Sequence, residues 1–361
     1  MPTDEQQQPT TLVTGGAGFI GSSVVRALLT RLPGRVLVLD ALTYAGGRDN
    51  LPADPRVQLV EGDIQDAALV ERLFSEHAPA RVLHLAAESH VDRSIDGPLA
   101  FVLTNVLGTV TLLEAARRHW PAYADDARAA FRFVHVSTDE VFGSLGDEGV
   151  FDAATPYDPR SPYSASKAGS DHLARAYQHT YGLPVVVTNC SNNYGPRQHP
   201  EKLIPHMLLL AVRGATLPVY GRGANVRDWL YVEDHARGLV DAAVRGEPGR
   251  TYLFGGGAER TNLALVQQLC ALLDERRPER APHERLITFV PDRPGHDHRY
   301  AIDASSAHEG LGWRPQHDLG QGLAATVDWY LTNQAWCDRR VASAGLGRRG
   351  SGAGAASAGT P

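Results

Sequence analysis

The fold is decided by TTLVTGGAGFIGSSVVRALL, residues 10–29. The stretch begins with a short apolar run, which is typical of a buried strand, and ends with apolar residues at helical spacing. Between the two lie Gly15, Gly18 and Gly21, in GxxGxxG spacing. Such glycines allow a tight turn and let the backbone approach a pyrophosphate, which then lies at the positive N-terminus of the helix. The stretch therefore predicts a strand, a dinucleotide-binding turn and a helix.

The chain continues with apolar strand-like segments that alternate with helical patterns. The strand-like segments are RVLVLD (35–40), VQLVEGDI (57–64), ARVLHLAA (80–87), FRFVHVS (131–137) and LPVVVTNC (183–190). Strands that are apolar throughout and separated by helices indicate a parallel sheet covered on both faces. We therefore predict an α/β protein with a Rossmann-like doubly wound parallel sheet and a smaller, interleaved α/β C-terminal substrate lobe.

The domain boundaries follow from changes in composition along the chain. We predict a dinucleotide-binding domain over residues 10–190, to which residues 228–258 return as a helix and a strand. The substrate lobe is predicted over 191–227 and 259–335, where Pro, Arg and aromatic residues are more frequent. Residues 341–361 are rich in Gly, Ala and Ser, so we predict a disordered tail there.

Composition and charge argue against several classes of function. The formal net charge of −6 gives no broad attraction to nucleic acid or to an anionic membrane. The chain has no uninterrupted apolar run of the roughly 18 residues that a membrane span needs. Cys190, Cys270 and Cys337 lie far apart without CxxC spacing, and no HExxH pattern occurs. We therefore expect a cytoplasmic protein without a metal site.

Two acidic residues refine the cofactor prediction. Asp40 ends the strand after the glycine turn, 19 residues beyond Gly21. A carboxylate there accepts both ribose hydroxyls and repels a 2′-phosphate, which favours NAD over NADP. Asp63 lies where the end of the third strand would meet the adenine.

Three further residues have the pattern of a catalytic set. Tyr163 and Lys167 are four positions apart in SPYSASKAGSDHL and would share one face of a helix. A lysine ammonium, together with a positive nicotinamide, is expected to lower the pKa of the phenol so that phenolate acts as a base. With Thr138 and the glycine turn, this set resembles the Ser/Thr–Tyr–Lys arrangement of the extended short-chain dehydrogenase/reductase superfamily.

The segment VSTDEVFG, residues 136–143, adds two adjacent carboxylates after Thr138. Hydride transfer at a sugar carbinol needs only the hydroxyl, the tyrosine and the lysine, so Asp139 and Glu140 suggest a second reaction. Oxidation to a ketone acidifies the neighbouring C–H, which one carboxylate can deprotonate. The other carboxyl, if protonated, can help a hydroxyl leave as water. The pattern predicts an internal redox elimination with no net use of NAD.

Longer strings resemble the dTDP-glucose 4,6-dehydratases, a family within that superfamily. They are LTYAGG, LAAESHVDRSI, VSTDEVFG, SPYSASKAGSDHL, TNCSNNYGPRQHPEKLIP, VRDWLYVEDHARG and DRPGHDHRYAID, and the resemblance extends from residue 11 to about residue 335. The resemblance implies that the substrate is a dTDP-sugar, namely dTDP-glucose, and that tightly bound NAD takes part in its conversion to dTDP-4-keto-6-deoxyglucose. It also implies a homodimer formed through paired helices. Phe142 stands where this family often has tyrosine.

The resemblance implies roles for individual residues. Tyr163 would deprotonate the C4 hydroxyl, Lys167 would orient the nicotinamide ribose and Thr138 would hydrogen-bond the C4 oxygen. Glu140 would take the C5 proton and Asp139 would protonate the departing C6 hydroxyl. The implied cofactor contacts are Gly15, Gly18, Phe19, Ile20, Gly21, Asp40, Thr43, Asp63, Ile64, Leu85, Ala86, Ala87, Thr104, Tyr163, Lys167 and Asn193. The implied substrate contacts are Ser89, Thr138, Asn192, Lys202, Leu203, Pro218, Tyr220, Arg227, Asn262, Asp292, Arg293 and His296.

Two alternatives remain open at the level of sequence. One is a 4,6-dehydratase that acts on another nucleotide sugar, with uracil or another base in place of thymine. The other is a nucleotide-sugar 4-epimerase, which has no need of the pair Asp139 and Glu140.

Overall fold

The computed structural model describes residues 9–292 and 296–344. Its strands are β1 (Thr10–Thr14), β2 (Arg35–Asp40), β3 (Val57–Glu61), β4 (Arg81–His84), β5 (Arg132–Val136), β6 (Val185–Cys190), β7 (Asn192–Tyr194), β8 (Leu217–Tyr220), β9 (Val226–Tyr231), β10 (Thr251–Phe254), β11 (Glu259–Thr261) and β12 (Ile287–Val290). Its helices are α1 (Phe19–Arg31), α2 (Ala67–His77), α3 (Val91–Asp96), α4 (Pro98–Phe101), α5 (Thr109–His119), α6 (Asp125–Ala130), α7 (Pro162–Tyr181), α8 (Leu203–Val212), α9 (Val232–Arg245), α10 (Asn262–Arg276), α11 (Ser305–Leu311), α12 (Leu319–Thr332) and α13 (Gln334–Ala344).

Seven parallel strands form the main sheet in the order β10-β6-β5-β4-β1-β2-β3. Successive residues of β1 point to opposite faces: Leu12 packs with α2 and α5, and Val13 packs with α1 and α9. Both faces are therefore covered by helices, which is why the strands are apolar throughout. This confirms the predicted doubly wound α/β fold.

The order of the strands determines where a ligand can bind. The chain runs from β1 outward to β2 and β3, then crosses back to β4 on the other side of β1. In open α/β sheets, ligands bind outside the carboxyl ends of the strands at such a reversal. Thr14, Asp40 and His84 end β1, β2 and β4 at this edge.

A second cluster of elements follows β6. β11, β9 and β7 form a three-stranded sheet, and β12 pairs with β8 in parallel. Leu208, Leu265 and Val327 are buried together where α8, α10 and α12 meet. β10 joins the main sheet beside β6, and the preceding helix α9 packs against α1. The predicted division of the chain into lobes stays a prediction.

One long helix lines the main sheet on the side of α2 and α7. α4 continues through a π-helical segment, Val102–Gly108, into α5. By length and composition alone, the helical stretch Pro98–Ala122 could cross a membrane, and 44% of its most apolar window is buried inside the protein. Segments of π-helix are frequent at functional sites, and this one contains Thr104.

The last described helix, α13, packs across to the loop that follows β2. Trp336 Nε1 donates a hydrogen bond to Asn50 Oδ1 at 2.9 Å, and Arg340 donates to the carbonyl of Gly46 at 2.8 Å. The helix extends to residue 344, so residues 341–344 are helical and the predicted start of the disordered tail at residue 341 is corrected. Residues 345–361 of that predicted tail lie outside the described residues.

Candidate active site

The glycine-rich turn between β1 and α1 lies against the segment that follows β4. Gly15 has φ +69°, and a Cβ on it would lie 2.6 Å from the backbone nitrogen of Ala86. A Cβ on Gly21 would lie 2.1 Å from the carbonyl oxygen of Gly15. Both positions need glycine, because the neighbouring atoms are backbone. α1 starts after Gly18 without a side-chain cap, so its first amides can bind a phosphate.

Asp40, at the end of β2, faces the same turn. Its Oδ2 accepts a hydrogen bond from the amide of Ala17 at 2.9 Å, and its Oδ1 accepts one from the amide of Leu42 at 2.8 Å. Burial raises the pKa of Asp40, and these two amides oppose the increase. Each carboxylate oxygen keeps a further lone pair for a ribose hydroxyl. The turn and this fixed acceptor together fit a dinucleotide without a 2′-phosphate.

Thr138, Asp139 and Glu140 are positioned by a 3₁₀ turn directly after β5. The turn comprises Asp139–Phe142, and Thr138 is its N-cap. Thr138 Oγ1 accepts a hydrogen bond from the amide of Glu140 at 3.3 Å and donates to Asp139 Oδ1 at 3.3 Å. The same hydroxyl lowers the pKa of the Tyr163 phenol, against the larger effects of burial and of Glu140. One threonine therefore contacts both carboxylate-bearing residues and acts on the tyrosine.

Asp139 is a buried acid whose pKa is raised. Burial is the main reason why its pKa lies well above the usual value, and the negative charges of Glu140 and Asp228 raise it further. Arg227 and the hydroxyl of Thr138 oppose this shift. Oδ2 of Asp139 is buried and has no hydrogen-bond partner among the described residues. A neutral carboxyl can donate one proton, so this group can serve as an acid toward a bound substrate.

Tyr163 and Lys167 project from the first turns of α7, which begins at Pro162 with a capping box formed by Ser161 and Ser164. Lys167 Nζ donates to the carbonyl of Val136 at 2.8 Å. Burial, followed by the charge of Glu140, raises the pKa of Tyr163 well above its usual value.

The predicted lowering of the tyrosine pKa by Lys167 together with a positive nicotinamide stays a prediction. In the protein without cofactor, desolvation of the phenolate and its repulsion by Glu140 raise this pKa. The prediction also relied on a positive nicotinamide, and that charge would come from the cofactor and not from the chain.

A buried network lies one helical turn beyond Lys167. Asp171 Oδ1 is 2.9 Å from His135 Nε2, and Asp171 Oδ2 accepts a hydrogen bond from the Tyr157 hydroxyl at 2.8 Å. Burial raises the pKa of Asp171, but these hydrogen bonds and the charge of Lys167 bring it below its usual value. Burial lowers the pKa of Lys167, and Asp171 is the main group that opposes this. Asp171 thus favours the charged form of Lys167.

The predicted catalytic and cofactor residues meet in one cavity of about 390 Å³. Its lining includes the catalytic residues Thr138, Asp139, Glu140, Tyr163 and Lys167. It includes the cofactor residues Gly15, Gly18, Phe19, Ile20, Gly21, Asp40, Thr43, Asp63, Ile64, Leu85, Ala86, Ala87, Thr104 and Asn193. It also includes the substrate residues Ser89, Asn192 and Lys202. This shared placement supports their individual roles, which stay predictions.

The remaining described substrate residues do not line that cavity: Leu203, Pro218, Tyr220, Arg227, Asn262, Asp292 and His296. Three of them lie together at the β8–β12 pair. His296 Nδ1 is 2.7 Å from Asp292 Oδ1, and the rings of His296 and Tyr220 are 6.3 Å apart. Arg293 lies outside the described residues.

Arg227 is buried at the start of β9. Its guanidinium donates to the carbonyls of Val226 at 2.7 Å and Asp297 at 3.0 Å, and it lies 4.2 Å from the centre of the Tyr300 ring. These bonds leave the Nε–H and one N–H of Nη2 for another acceptor, and the implied contact of Arg227 with the substrate stays a prediction.

Glu201 also lines this cavity and was not among the predicted site residues. Its Oε1 accepts a hydrogen bond from the Tyr44 hydroxyl at 3.2 Å, and its Oε2 lies 3.5 Å from the guanidinium of Arg93. Glu201 stands in PEKLIP, in which only Lys202 and Leu203 were predicted to contact the substrate. The family resemblance of this segment was the one sequence signal for Glu201, since spacing does not show which of its side chains faces the cavity.

No group of three or more His, Cys, Asp or Glu residues within 9–292 and 296–344 is arranged to hold a metal ion. Cys190, Cys270 and Cys337 are all free thiols and buried.

Comparison with known proteins agrees with this geometry. A sequence model of the family described as GDP-mannose 4,6 dehydratase matches residues 12–326. The chain is 58% identical over 332 residues to a dTDP-glucose 4,6-dehydratase of Xanthomonas campestris pv. campestris, covering 91% of this chain and 94% of that protein. It is 53% identical to dTDP-glucose 4,6-dehydratase 1 of Escherichia coli K12, with the same two coverages. The chain belongs to the dTDP-glucose 4,6-dehydratase family.

A solved structure of this dTDP-glucose 4,6-dehydratase family extends the agreement to the fold. DesIV from Streptomyces venezuelae, a dTDP-glucose 4,6-dehydratase crystallised with NAD bound, superimposes with a TM-score of 0.84 at 48% identity. The match covers 92% of this chain and 99% of that one. The Rossmann-like prediction and the family resemblance are thereby confirmed together.

Proposed function

We propose that this protein converts dTDP-glucose to dTDP-4-keto-6-deoxyglucose and water, with NAD held in the glycine-rich cradle. The observation that carries the proposal is the placement of Asp139. It is a buried carboxyl with a raised pKa next to Glu140, in the cavity that also holds Thr138, Tyr163 and Lys167. An enzyme that only moves hydride at C4 has no use for such an acid. Relatives named for this reaction, at 53% and 58% identity, support the same conclusion.

The first half of the reaction takes place at C4. Bound NAD accepts the hydride from C4 and later returns it to C6. Tyr163 takes the proton of the C4 hydroxyl, and Thr138 hydrogen-bonds the same oxygen. Lys167 can direct its remaining N–H groups to the ribose next to the nicotinamide. Its bond to the carbonyl of Val136 fixes the position of the ammonium.

The second half is an elimination between C5 and C6. The C4 ketone makes the C5 proton acidic, and Glu140 removes it. Asp139 gives its proton to the C6 hydroxyl, which leaves as water. When hydride reaches C6, Glu140 returns a proton to C5. The proton that Tyr163 took from the C4 hydroxyl is released, and Asp139 takes up one proton, so the balance is the loss of one water.

The test is mass spectrometry of dTDP-glucose after incubation in heavy water with purified protein and a trace of NAD. We expect each product molecule to lose one water and gain one deuterium at C5, from substrate in large excess over cofactor. An unchanged mass with altered stereochemistry at C4 would identify an epimerase and contradict the proposal. An inert dTDP-glucose together with conversion of another nucleotide sugar would keep the chemistry and change the substrate.

We further propose that the protein is a homodimer. Leu99, Val102, Leu103 and Leu107 are between 39% and 67% exposed on the long helix that contains α4 and α5. Residues spaced by three and four form one stripe on a helix, and exposed apolar patches of this kind mark interfaces. A second copy carries the same stripe and can cover it around a two-fold axis.

The same helix is held in the protein and is not free to enter a lipid bilayer. Asn105 Nδ2 donates to Ser166 Oγ at 2.8 Å and to the carbonyl of Glu88 at 3.0 Å. Moving the helix into lipid would break these bonds and expose the core under α2 and α7. This favours a second protein copy as the occupant of the stripe.

We also propose that the protein functions in the cytoplasm, where Cys190, Cys270 and Cys337 would stay reduced. Fractionation of producing cells should recover it with cytoplasmic enzymes, and recovery with the membrane or the periplasm would contradict this.

A further inference from the structure

A second cavity, of about 320 Å³, lies beside the active site without sharing a lining residue with it. It is enclosed by the outer side of α1, the loop after β7, the start of α9 and the loop before α12. Its polar lining is Ser23, Arg26, Thr30, Arg31, Arg197, Glu233, Asp234, Arg237, Gln316 and His317. Four arginines and two carboxylates therefore face one space, and none of them has a role in the dehydratase reaction.

Two of the four arginines are already paired with carboxylates. Arg31 lies 2.9 Å from Asp241, and Arg237 lies 2.8 Å from Asp234. Asp234 is also used by His317, whose amide donates to Oδ2 at 2.9 Å. These contacts form the wall of the cavity. Asp234 and Asp241 are therefore already paired and do not balance the charges of the other two arginines.

Arg26 and Arg197 have no such partner. Arg26 donates only to the carbonyls of Ser22 and Asn50, at 2.8 and 2.5 Å. Arg197 lies 5.3 Å from the centre of the Trp329 ring. Within the described part of the chain, no carboxylate comes within 4.0 Å of either guanidinium.

The two guanidinium groups also repel each other. Burial lowers the pKa of Arg26 to about 10, and the charge of Arg197 contributes to this, while Glu233 opposes it. Glu233 is the nearest unpaired negative charge in the lining, and it is exposed to solvent. Both arginines remain charged at neutral pH, so the cavity holds like charges that an anion would relieve.

The backbone at Arg197 is in an unfavourable conformation. Its φ is +68°, in the left-handed region that glycine adopts at no steric penalty. An arginine there is strained, because its Cβ comes too close to the carbonyl oxygen that follows. Backbone strain of this kind is found at ligand-binding positions, and here it places a guanidinium in the cavity.

We infer that this second cavity binds a small phosphate-bearing anion between Arg26 and Arg197. Guanidinium groups bind phosphate through planar pairs of N–H donors. The cavity volume is at the lower end of the range for small-molecule sites, which suits inorganic pyrophosphate or one nucleotide. Ser23 and Thr30 place hydroxyl groups on the same wall.

Calorimetric titration of the protein saturated with NAD and dTDP tests the inference. NAD and dTDP then fill the active-site cavity, so that heat released on adding pyrophosphate or AMP measures binding to the second cavity. We expect pyrophosphate to bind. Equal affinity for AMP would mean that the phosphate alone is recognised, and tighter binding of AMP would mean that the nucleoside is bound as well.

Three variants separate this site from general attraction of anions. Arg197→Gly removes the charge and suits the left-handed backbone, so it should stay folded and weaken binding about tenfold or more. Glu233→Gln removes a repelling carboxylate and should strengthen binding. Arg250→Ala, which removes an exposed arginine paired with Glu247 at 3.1 Å, should change nothing.

Three results would contradict the inference. One is the absence of binding by the wild-type protein. Another is equal affinity in wild type and in Arg197→Gly, provided that the variant unfolds at a temperature no lower than wild type. A pyrophosphate affinity that falls equally in Arg250→Ala would also contradict a local site.

Discussion

The substitution Asp139→Asn keeps the shape of the side chain and removes the proton that the elimination needs. We expect water loss to slow by roughly 10²–10⁴-fold, the usual contribution of a general acid. Oxidation at C4 should continue, so reduced nicotinamide should accumulate and can be followed by its absorbance. Glu140→Gln is the matched control, because it should also abolish exchange of deuterium at C5. Unimpaired water loss in Asp139→Asn would remove the acid from the mechanism.

The raised pKa of Asp139 also predicts a pH dependence. The protonated form is the active one, so water loss should be lost as pH rises through the pKa of Asp139 in the folded protein. Because that pKa lies above the usual value, activity should persist at pH values at which an ordinary aspartate is ionised. Rate measurements against pH, compared with those of Asp139→Asn, test this. If the fall in rate at high pH is the same in Asp139→Asn as in the wild type, it is caused by the titration of a group other than Asp139.

Asp171 illustrates a residue that acts through a neighbour. Asp171→Asn places an amide N–H against either His135 or Tyr157, both of which donate to the carboxylate. We expect a loss of about 1–3 kcal/mol in the free energy of unfolding. The loss of negative charge should also lower the pKa of Lys167 further, so the alkaline limb of C4 oxidation should move to lower pH. A loss of stability with an unchanged pH profile would make the residue purely structural.

At the scale of elements, the turn between β1 and α1 can be tested with two glycines. Gly15 and Gly182 have almost the same φ, +69° and +68°, but only Gly15 has neighbours within 4 Å of an added Cβ. Alanine should cost about 1 kcal/mol at either position for the backbone alone. Only Gly15→Ala should also displace Ala86 and lose bound NAD. NAD content and thermal unfolding of the two variants measure this, and equal retention of NAD would contradict the role of the turn.

The elements that could be predicted from sequence are those fixed by local spacing. The three glycines of the turn lie within seven consecutive positions, and Asp40 lies at the end of the next strand. The capped turn at Thr138 likewise depends on adjacent residues. In contrast, β8 and β12 are four-residue strands about seventy positions apart, and nothing in either one specifies the other.

The parts of the site that could not be predicted depend on packing between distant elements. The contact of Asp171 with His135 joins α7 to β5, and no periodicity encodes it. The raised pKa of Tyr163 depends on desolvation, which appears only when the chain closes over the ring. A single sequence gives the residue types of this site, and the folded chain determines their protonation.

At the scale of the whole molecule, the exposed stripe on α4 and α5 predicts the state of assembly. Introducing Glu at both Leu99 and Leu103 should convert a dimer to a monomer, because facing stripes would then hold like charges in an apolar interface. Sedimentation velocity measures this directly. Val150→Glu changes an equally exposed apolar residue elsewhere and should leave the dimer intact. A wild-type protein that sediments as a monomer would contradict the proposed homodimer.

The contact of α13 with the loop after β2 bears on synthesis of the chain. Asn50 accepts a hydrogen bond from Trp336 and donates one to the carbonyl of Ala17 at 2.8 Å, within the glycine-rich turn. Strands β1 to β6 can pair while translation is still in progress. The hydrogen bond from Trp336 to Asn50 can form only after residue 336 has left the ribosome. Nascent chains stalled before α13 should therefore fail to be retained on immobilised NAD, whereas released chains should bind. NAD would then bind only near the end of synthesis and folding of the chain.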